Sequence, residues 1–88
     1  MVYQIVILSK AFHSLESLDK LTAKRILDKL SWLSQNFDNI THSPLKDAFS
    51  GTYKLRVGEW RVIYSFDVDK RVITVHLIGH RRDIYKLH

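Results

Sequence analysis

The sequence predicts an α+β fold in which a helical hairpin packs on one face of a mainly antiparallel sheet. β-Branched and aromatic residues begin the chain, two stretches with helical spacing follow, and after Gly51 the hydrophobic period changes from 3.6 to 2. The predicted order of elements is β-α-α-β-β-β. Residues 1–88 are assigned to a single domain, because no repeat or Gly/Ser-rich linker divides the 88 residues.

The N-terminal half predicts one strand and two helices. The strand covers residues 2–8, which are β-branched and aromatic. The first helix covers about 10–18, where Ala11, Leu15 and Leu18 recur at helical spacing. The second helix covers about 20–36, and its apolar stripe comprises Leu21, Ala23, Ile26, Leu27, Leu30, Leu33 and Phe37. We interpret this stripe as core, with a groove for a partner helix as the alternative. Residues 36–46 contain turn-forming residues and the only proline, and predict a loop.

Three strands are predicted in the C-terminal half, at about 52–57, 60–66 and 72–79. Gly58 and Glu59 separate two alternating runs, which is typical of a tight hairpin with a type II′ turn. The third run is almost entirely apolar, which favours a central strand. A basic tail, residues 80–88, follows it.

Composition excludes several classes of site. The chain has no cysteine, so it has no disulfide scaffold, thiolate nucleophile or cysteine-based zinc site. The histidines are scattered, with no His/Asp cluster at metal-binding spacing, and we expect neither a metal nor a cofactor. The N-terminal apolar run has no basic leader and is too short to span a membrane. We therefore expect a cytoplasmic protein with no membrane partner.

The positive charge lies mainly in the C-terminal half. Residues 1–44 carry five Lys/Arg against four Asp/Glu, whereas residues 45–88 carry nine against five, out of a net charge of +5. A basic half-domain is typical of a protein that binds a polyanion.

The predicted hairpin places three cations together. If Gly58 and Glu59 form the turn, Arg56 lies opposite Arg61 and Lys54 lies opposite Ile63. The helix-facing positions are then Tyr53, Leu55, Val57, Val62, Tyr64 and Phe66. Lys54, Arg56 and Arg61 share the other, open face, where like charges destabilise each other unless an anion neutralises them. This arrangement predicts a phosphate clamp. The alternative is a solvated sheet face on which Glu59 pairs with one of the cations.

The tail adds groups that suit RNA. Arginine binds phosphate bidentately or stacks on a base, and tyrosine stacks or donates a hydrogen bond. The predicted RNA-binding residues are Lys54, Arg56, Arg61, Arg81, Arg82 and Lys86. Two alternatives stay open: Ile84 and Tyr85 pack the tail onto the sheet, and Arg82 forms an ordinary surface pair with Asp83.

These groups suit a nuclease in which the RNA supplies its own 2′-hydroxyl as nucleophile. Such a reaction needs a base, cations on the phosphorane oxygens and an acid for the leaving 5′-oxygen. Lys54 is the candidate base and Arg61 the candidate for stabilising transition-state charge. The candidate acids are His80, Arg81 and Tyr85, and the sequence does not rank them.

The chain resembles the RelE/ParE superfamily of toxins from toxin–antitoxin systems. The resemblance covers nearly the whole chain and is carried by the element order, the stretch 55–64 (LRVGEWRVIY) and the ending 79–85 (GHRRDIY). The RelE branch implies metal-independent cleavage of mRNA in the ribosomal A site. Its catalytic positions correspond here to Lys54, Arg56, Arg61, Arg81 and Tyr85, and His80 stands where some relatives carry a basic residue or histidine. The ParE branch implies inhibition of DNA gyrase without RNA cleavage.

The resemblance also implies partners. Besides the ribosome and mRNA, we expect a cognate antitoxin that wraps the toxin with a helix and an extended segment. The resemblance implies that operator DNA is contacted only through the antitoxin complex.

Overall fold

The computed structural model describes residues 2–86 and contains the predicted α+β fold. The helices and strands, in chain order, are β1 Gln4–Ile7, α1 Ser9–Glu16, α2 Lys20–Asn36, β2 Ser43–Pro44, β3 Tyr53–Val57, β4 Trp60–Asp67 and β5 Val72–His80. Short 3₁₀ turns lie at Phe37–Asn39, Asp47–Phe49 and Ile84–Lys86. The two-residue strand β2 lies inside the stretch predicted as loop. None of the helices within residues 2–86 is both long enough and apolar enough to cross a membrane.

The first helix ends two residues earlier than predicted. The backbone N–H groups of Ser17 and Leu18 donate to carbonyls three residues back, which closes α1 with a tight turn. Asp19 then begins α2 as its N-cap, because its carboxylate accepts the Thr22 backbone N–H at 3.1 Å and the Thr22 hydroxyl at 2.6 Å. These two hydrogen bonds, the hydroxyl's above all, hold the pKa of Asp19 below its usual value.

The sheet is mixed, with strand order β1-β5-β4-β3-β2. β1 runs parallel to β5, with Gln4 opposite Val72, and the other neighbours are antiparallel. β5 therefore lies inside the sheet, between β1 and β4, as its apolar sequence predicts. A bulge between Ile63 and Tyr64 shifts the β4–β5 register, so that Ile63 pairs with Leu77 but Tyr64 pairs with Val75.

The main core lies between the helices and one face of the sheet. It contains Tyr3, Ala11, Leu15, Ile26, Leu30, Leu33, Phe37, Leu55, Val57, Val62, Tyr64, Ile73, Val75 and Ile78. The prediction that the whole apolar stripe of α2 is core is wrong for Leu21 and Leu27, which are 69% and 46% exposed. The stripe is wider than the arc of helix that one sheet covers, and these two residues lie outside that arc.

A second, smaller core lies on the helix-free face. Ile63, Leu77 and Ile84 are buried there, and Leu45 and Phe49 pack against them. The expectation that this face is open is therefore wrong at its centre, because the tail folds back and buries Ile84 completely. Of the alternatives for the tail, packing onto the sheet is the one observed for Ile84.

His42 fixes the segment between α2 and β3. Its Nε2–H donates to the Phe37 carbonyl at 3.0 Å, which leaves Nδ1 to accept the Tyr64 hydroxyl at 2.6 Å. Burial, with a smaller contribution from nearby Tyr53, raises the pKa of Tyr64 to about 12. The segment that carries Thr41 and Ser43 is thereby held beside the sheet.

Candidate nucleic-acid interface at the β3–β4 hairpin

The β3–β4 hairpin has the predicted register. Val57 pairs with Trp60, Arg56 with Arg61, and Lys54 with Ile63. Gly58 has φ of +60°, whereas Glu59 is not in the left-handed region, and this combination fits a type II′ turn. The two-residue connection therefore fixes which side chains share a face.

Arg61 folds back over the turn. Its Nη1 donates to the carbonyl oxygens of Gly58 at 2.8 Å and Trp60 at 2.9 Å. Arg56, directly opposite, is exposed. Among residues 2–86, no carboxylate forms an ion pair with Lys54, Arg56 or Arg61. The hairpin thus presents three uncompensated cations, and the alternative in which Glu59 balances one of them is wrong.

Glu59 instead binds Arg81, the first residue after β5. The Arg81 Nε lies 2.7 Å from the Glu59 carboxylate, and the Arg81 backbone N–H donates to the Glu59 carbonyl at 2.8 Å. Both side chains are more than half exposed, so the ion pair stabilises the fold by about 1 kcal/mol or less. The pair's main effect is to position Arg81. Because Arg81 is bonded to Glu59 and Arg61 to the preceding Gly58, both side chains are held at the same turn.

The rest of the tail lies on the helix-free face, where Ile84 packs against Ile63 and Leu77. Tyr85 is 42% exposed and contacts the Phe49 ring edge-on, with 5.7 Å between ring centroids. Lys86 and Arg82 are exposed. The Arg82 backbone N–H donates to His80 Nδ1 at 3.2 Å, and in the described part of the chain Arg82 forms no ion pair with Asp83. The expected Arg82–Asp83 surface pair is therefore not formed.

His80 is the one predicted site residue that the structure separates from the others. It pairs with Trp60, and the two rings meet edge-on with centroids 5.5 Å apart. Cross-strand partners share a face, and Trp60 shares its face with Val57 in the main core. Because successive residues alternate faces, His80 lies on the opposite side of the sheet from Arg61.

A groove between α2 and β3 contains basic residues that the sequence did not identify as site residues. Its volume is about 470 Å³. Lys54 and Arg56 line one side, and Lys29 and Trp32 of α2 line the other. The Lys29 Nζ lies 3.9 Å from the centroid of the Trp32 ring. Near the turn, Arg25 of α2 lies so close that a Cβ added to Gly58 would be 3.3 Å from its Nη2.

The comparison with known families decides the identity. The family described as ParE toxin of type II toxin–antitoxin system, parDE, matches residues 5–85. The chain belongs to this toxin family. The match covers nearly all of the sheet, both helices and the tail through Tyr85. No curated protein sequence is significantly similar to it.

Solved structures of toxins share the fold. The toxin superposes on a chain of the RelBE2 toxin–antitoxin complex of Mycobacterium tuberculosis with a TM-score of 0.82 at 21% identity, covering 94% of this chain and 95% of that one. The archaeal RelE–RelB complex of Pyrococcus horikoshii gives 0.72 at 26% identity, covering 92% and 97%. The YoeB–YefM complex of Staphylococcus aureus gives 0.70 at 22% identity, covering 91% and 98%. These matches confirm the RelE-like fold and fit a toxin that has an antitoxin as partner.

The arrangement favours binding of a phosphodiester. Guanidinium groups from two strands and the tail lie at or next to the turn, and the tail also carries the partly exposed Tyr85. Within residues 2–86 there is no group of three His, Asp or Glu side chains placed to hold a metal ion.

Proposed function

We propose that this toxin is a ribosome-dependent endoribonuclease that cleaves mRNA without a metal ion or cofactor. The observation that supports this most directly is that Arg61 and Arg81 are both bonded to the β3–β4 turn, Arg61 to Gly58 and Arg81 to Glu59. Arg56 lies opposite Arg61, and no acid neutralises this pair in the described chain. Two arginines directly opposite each other destabilise a hairpin, whereas a bound phosphate removes that cost.

The proposed reaction needs no group from outside the RNA and the toxin. Lys54, in its neutral form, removes the proton from a 2′-hydroxyl, and the oxygen attacks the adjacent phosphorus. The P–O5′ bond breaks, and the leaving 5′-oxygen takes a proton from the tail. The products are a 2′,3′-cyclic phosphate and a 5′-hydroxyl.

The remaining residues have assigned roles. Arg56 and Arg61 bind the phosphate and stabilise its additional charge in the transition state. Arg81 and Tyr85 are the proposed proton donors, and His80 is not assigned this role because it lies on the other face. Arg82 and Lys86 bind flanking phosphates. The ribosome orients the mRNA, which compensates for a site without an efficient acid–base pair.

The proposed setting is the cytoplasm, where the toxin meets the ribosome and mRNA. The proposed inhibitor is its cognate antitoxin, which in complex with the toxin contacts operator DNA. An acidic antitoxin segment matches the charge of the C-terminal half.

The proposal is tested by inducing the toxin without an antitoxin and following mRNA integrity. Arg61→Ala and Arg81→Ala each lower the cleavage rate on purified ribosomes by about 10²–10³-fold, the usual loss when one transition-state donor is removed. Lys70→Ala makes the same charge change in the exposed loop at the opposite end of β4 and leaves cleavage unchanged. Cleavage at the full rate by both arginine variants, with native circular dichroism, would contradict the site.

Inhibition of DNA gyrase is the second candidate, favoured by the family match, whose description names ParE. It predicts reduced supercoiling by purified gyrase and an early DNA-damage response, while mRNA stays intact. Measuring supercoiling and mRNA integrity in the same induced culture separates the two functions.

A further inference from the structure

The α2–β3 groove, lined by Lys29, Trp32, Lys54 and Arg56, is continuous with the candidate site. Arg56 faces Arg61 across the hairpin and also lines the groove, and Lys54 likewise belongs to both. β2 pairs only with Tyr53 and Lys54, so within residues 2–86 the outer edge of β3 is open from position 55 onward. A chain bound at the turn can therefore pass over this edge into the groove.

The chemistry of the groove fits a nucleotide. Trp32 is 39% exposed and presents an indole ring, and Lys29 holds its charge 3.9 Å from the centroid of that ring. Thr41 and Ser43 add hydroxyl groups, and no carboxylate lines the groove. Basic side chains interleaved with an exposed aromatic ring are typical of single-strand nucleic-acid binding, because every base can stack on the ring.

We propose that this groove binds a nucleotide of single-stranded RNA next to the one at the hairpin turn, with its base on Trp32 and its phosphate between Lys29 and Lys54. The inference rests on the proposed function in that the groove extends the same RNA path. It assigns α2 a role in holding RNA, through Lys29 and Trp32, which lie about one helical turn apart on one side of the helix.

Binding is measured with a 2′-O-methyl oligouridine of about ten residues, within the usual site size for such surfaces. This RNA has no 2′-hydroxyl and cannot be cleaved by the proposed reaction. The two tryptophans are Trp32 and Trp60, so Trp60→Phe leaves Trp32 as the only reporter, and its fluorescence is quenched on titration. The Trp32 variants lack this reporter, so their affinities are read from the fluorescence anisotropy of an end-labelled oligouridine, as are those of the parent toxin. Trp32→Ala lowers the affinity about fivefold or more, whereas Trp32→Phe keeps most of it because a phenyl ring still stacks.

Lys29→Ala tests the phosphate contact. Affinity for a single strand falls as the salt concentration rises, and removing one phosphate contact makes the slope of log affinity against log salt less steep by about 0.7. Lys24→Ala is the matched control, since Lys24 lies on the same helix, pairs with Asp28 at 2.9 Å and does not line the groove. Equal effects of the two lysine variants, together with full affinity in Trp32→Ala, would overturn the inference.

Ribosome-dependent cleavage by the same proteins separates the two proposals. Cleavage by the parent toxin with unchanged oligouridine affinity in the groove variants overturns the groove assignment and leaves the proposed function standing. Weakened binding in those variants without any cleavage by the parent toxin supports the groove and overturns the proposed function. Poly-glutamate is titrated in the same way at equal charge. If it quenches the Trp32 fluorescence as strongly as the oligouridine does, the groove binds acidic peptides and the RNA inference is overturned.

Discussion

Ile84 tests how far the position of the tail depends on one buried side chain. It is fully buried against Ile63 and Leu77 on the helix-free face. Ile84→Ala removes three carbon groups, at about 0.8 kcal/mol each, and the remaining cavity raises the loss to about 3 kcal/mol. The other contacts of the tail include the exposed Arg81–Glu59 pair and the Tyr85–Phe49 edge contact, each worth about 1 kcal/mol. A loss of about 3 kcal/mol shifts the balance between docked and detached tail about 150-fold.

Hydrogen exchange at the Arg81 backbone N–H measures this shift, because that group donates to the Glu59 carbonyl only while the tail is docked. We expect Ile84→Ala to lose protection at Arg81 and to lose the proposed RNA cleavage, while the β4–β5 amides stay protected. Ile84→Val, with an expected cost of about 0.5–1.5 kcal/mol, keeps both. Protected Arg81 and full cleavage in Ile84→Ala would refute the view that Ile84 positions the tail.

Two further predictions concern the turn and the core. Gly58→Ala and Gly51→Ala each lower the free energy of unfolding by about 1–2 kcal/mol, because both glycines have positive φ, +60° and +85°. The nearest atom to a methyl group at position 58 is the end of the exposed Arg25 side chain, which can move aside, so urea unfolding should give similar losses for the two variants. A loss at Gly58 that exceeds the loss at Gly51 by more than about 1 kcal/mol would show instead that Arg25 is held in place. The pKa of Tyr64 is about 12 when folded and about 10 when unfolded, so the folded chain holds this proton more tightly and stability falls as pH rises from 10 to 12, by about 2–3 kcal/mol. In Tyr64→Phe the loss of stability that comes from this hydroxyl is absent. If the free energy of unfolding has the same pH dependence in both proteins, the raised pKa of Tyr64 is contradicted.

The hairpin was predictable because two local rules determine it. A two-residue turn with glycine first fixes the register, and the period of two fixes which side chains share a face. Arg56 opposite Arg61 follows from these rules alone, and the structure has that pair. The helices and the strands of the meander were predictable for the same reason, since their periodicity is carried by neighbouring residues.

The tail and the groove depend on contacts between distant parts of the chain. Ile84 packs against Ile63 and Leu77, and the β4–β5 bulge determines that these two residues lie on the helix-free face. No local sequence pattern predicts that bulge. The groove depends on how α2 is rotated about its axis over the sheet. Lys29 and Trp32 could be recognised as neighbours on one helix, but their proximity to β3 is a tertiary property.

The parallel pairing of β1 with β5 has a consequence for the order in which the sheet forms. Gln4 and its partner Val72 are separated along the chain by both helices and the strands β2, β3 and β4. Pairings between such distant positions form slowly, whereas the β3–β4 hairpin closes through a two-residue turn. The hairpin that carries Lys54, Arg56 and Arg61 therefore forms readily before β1 is added at the edge of the sheet.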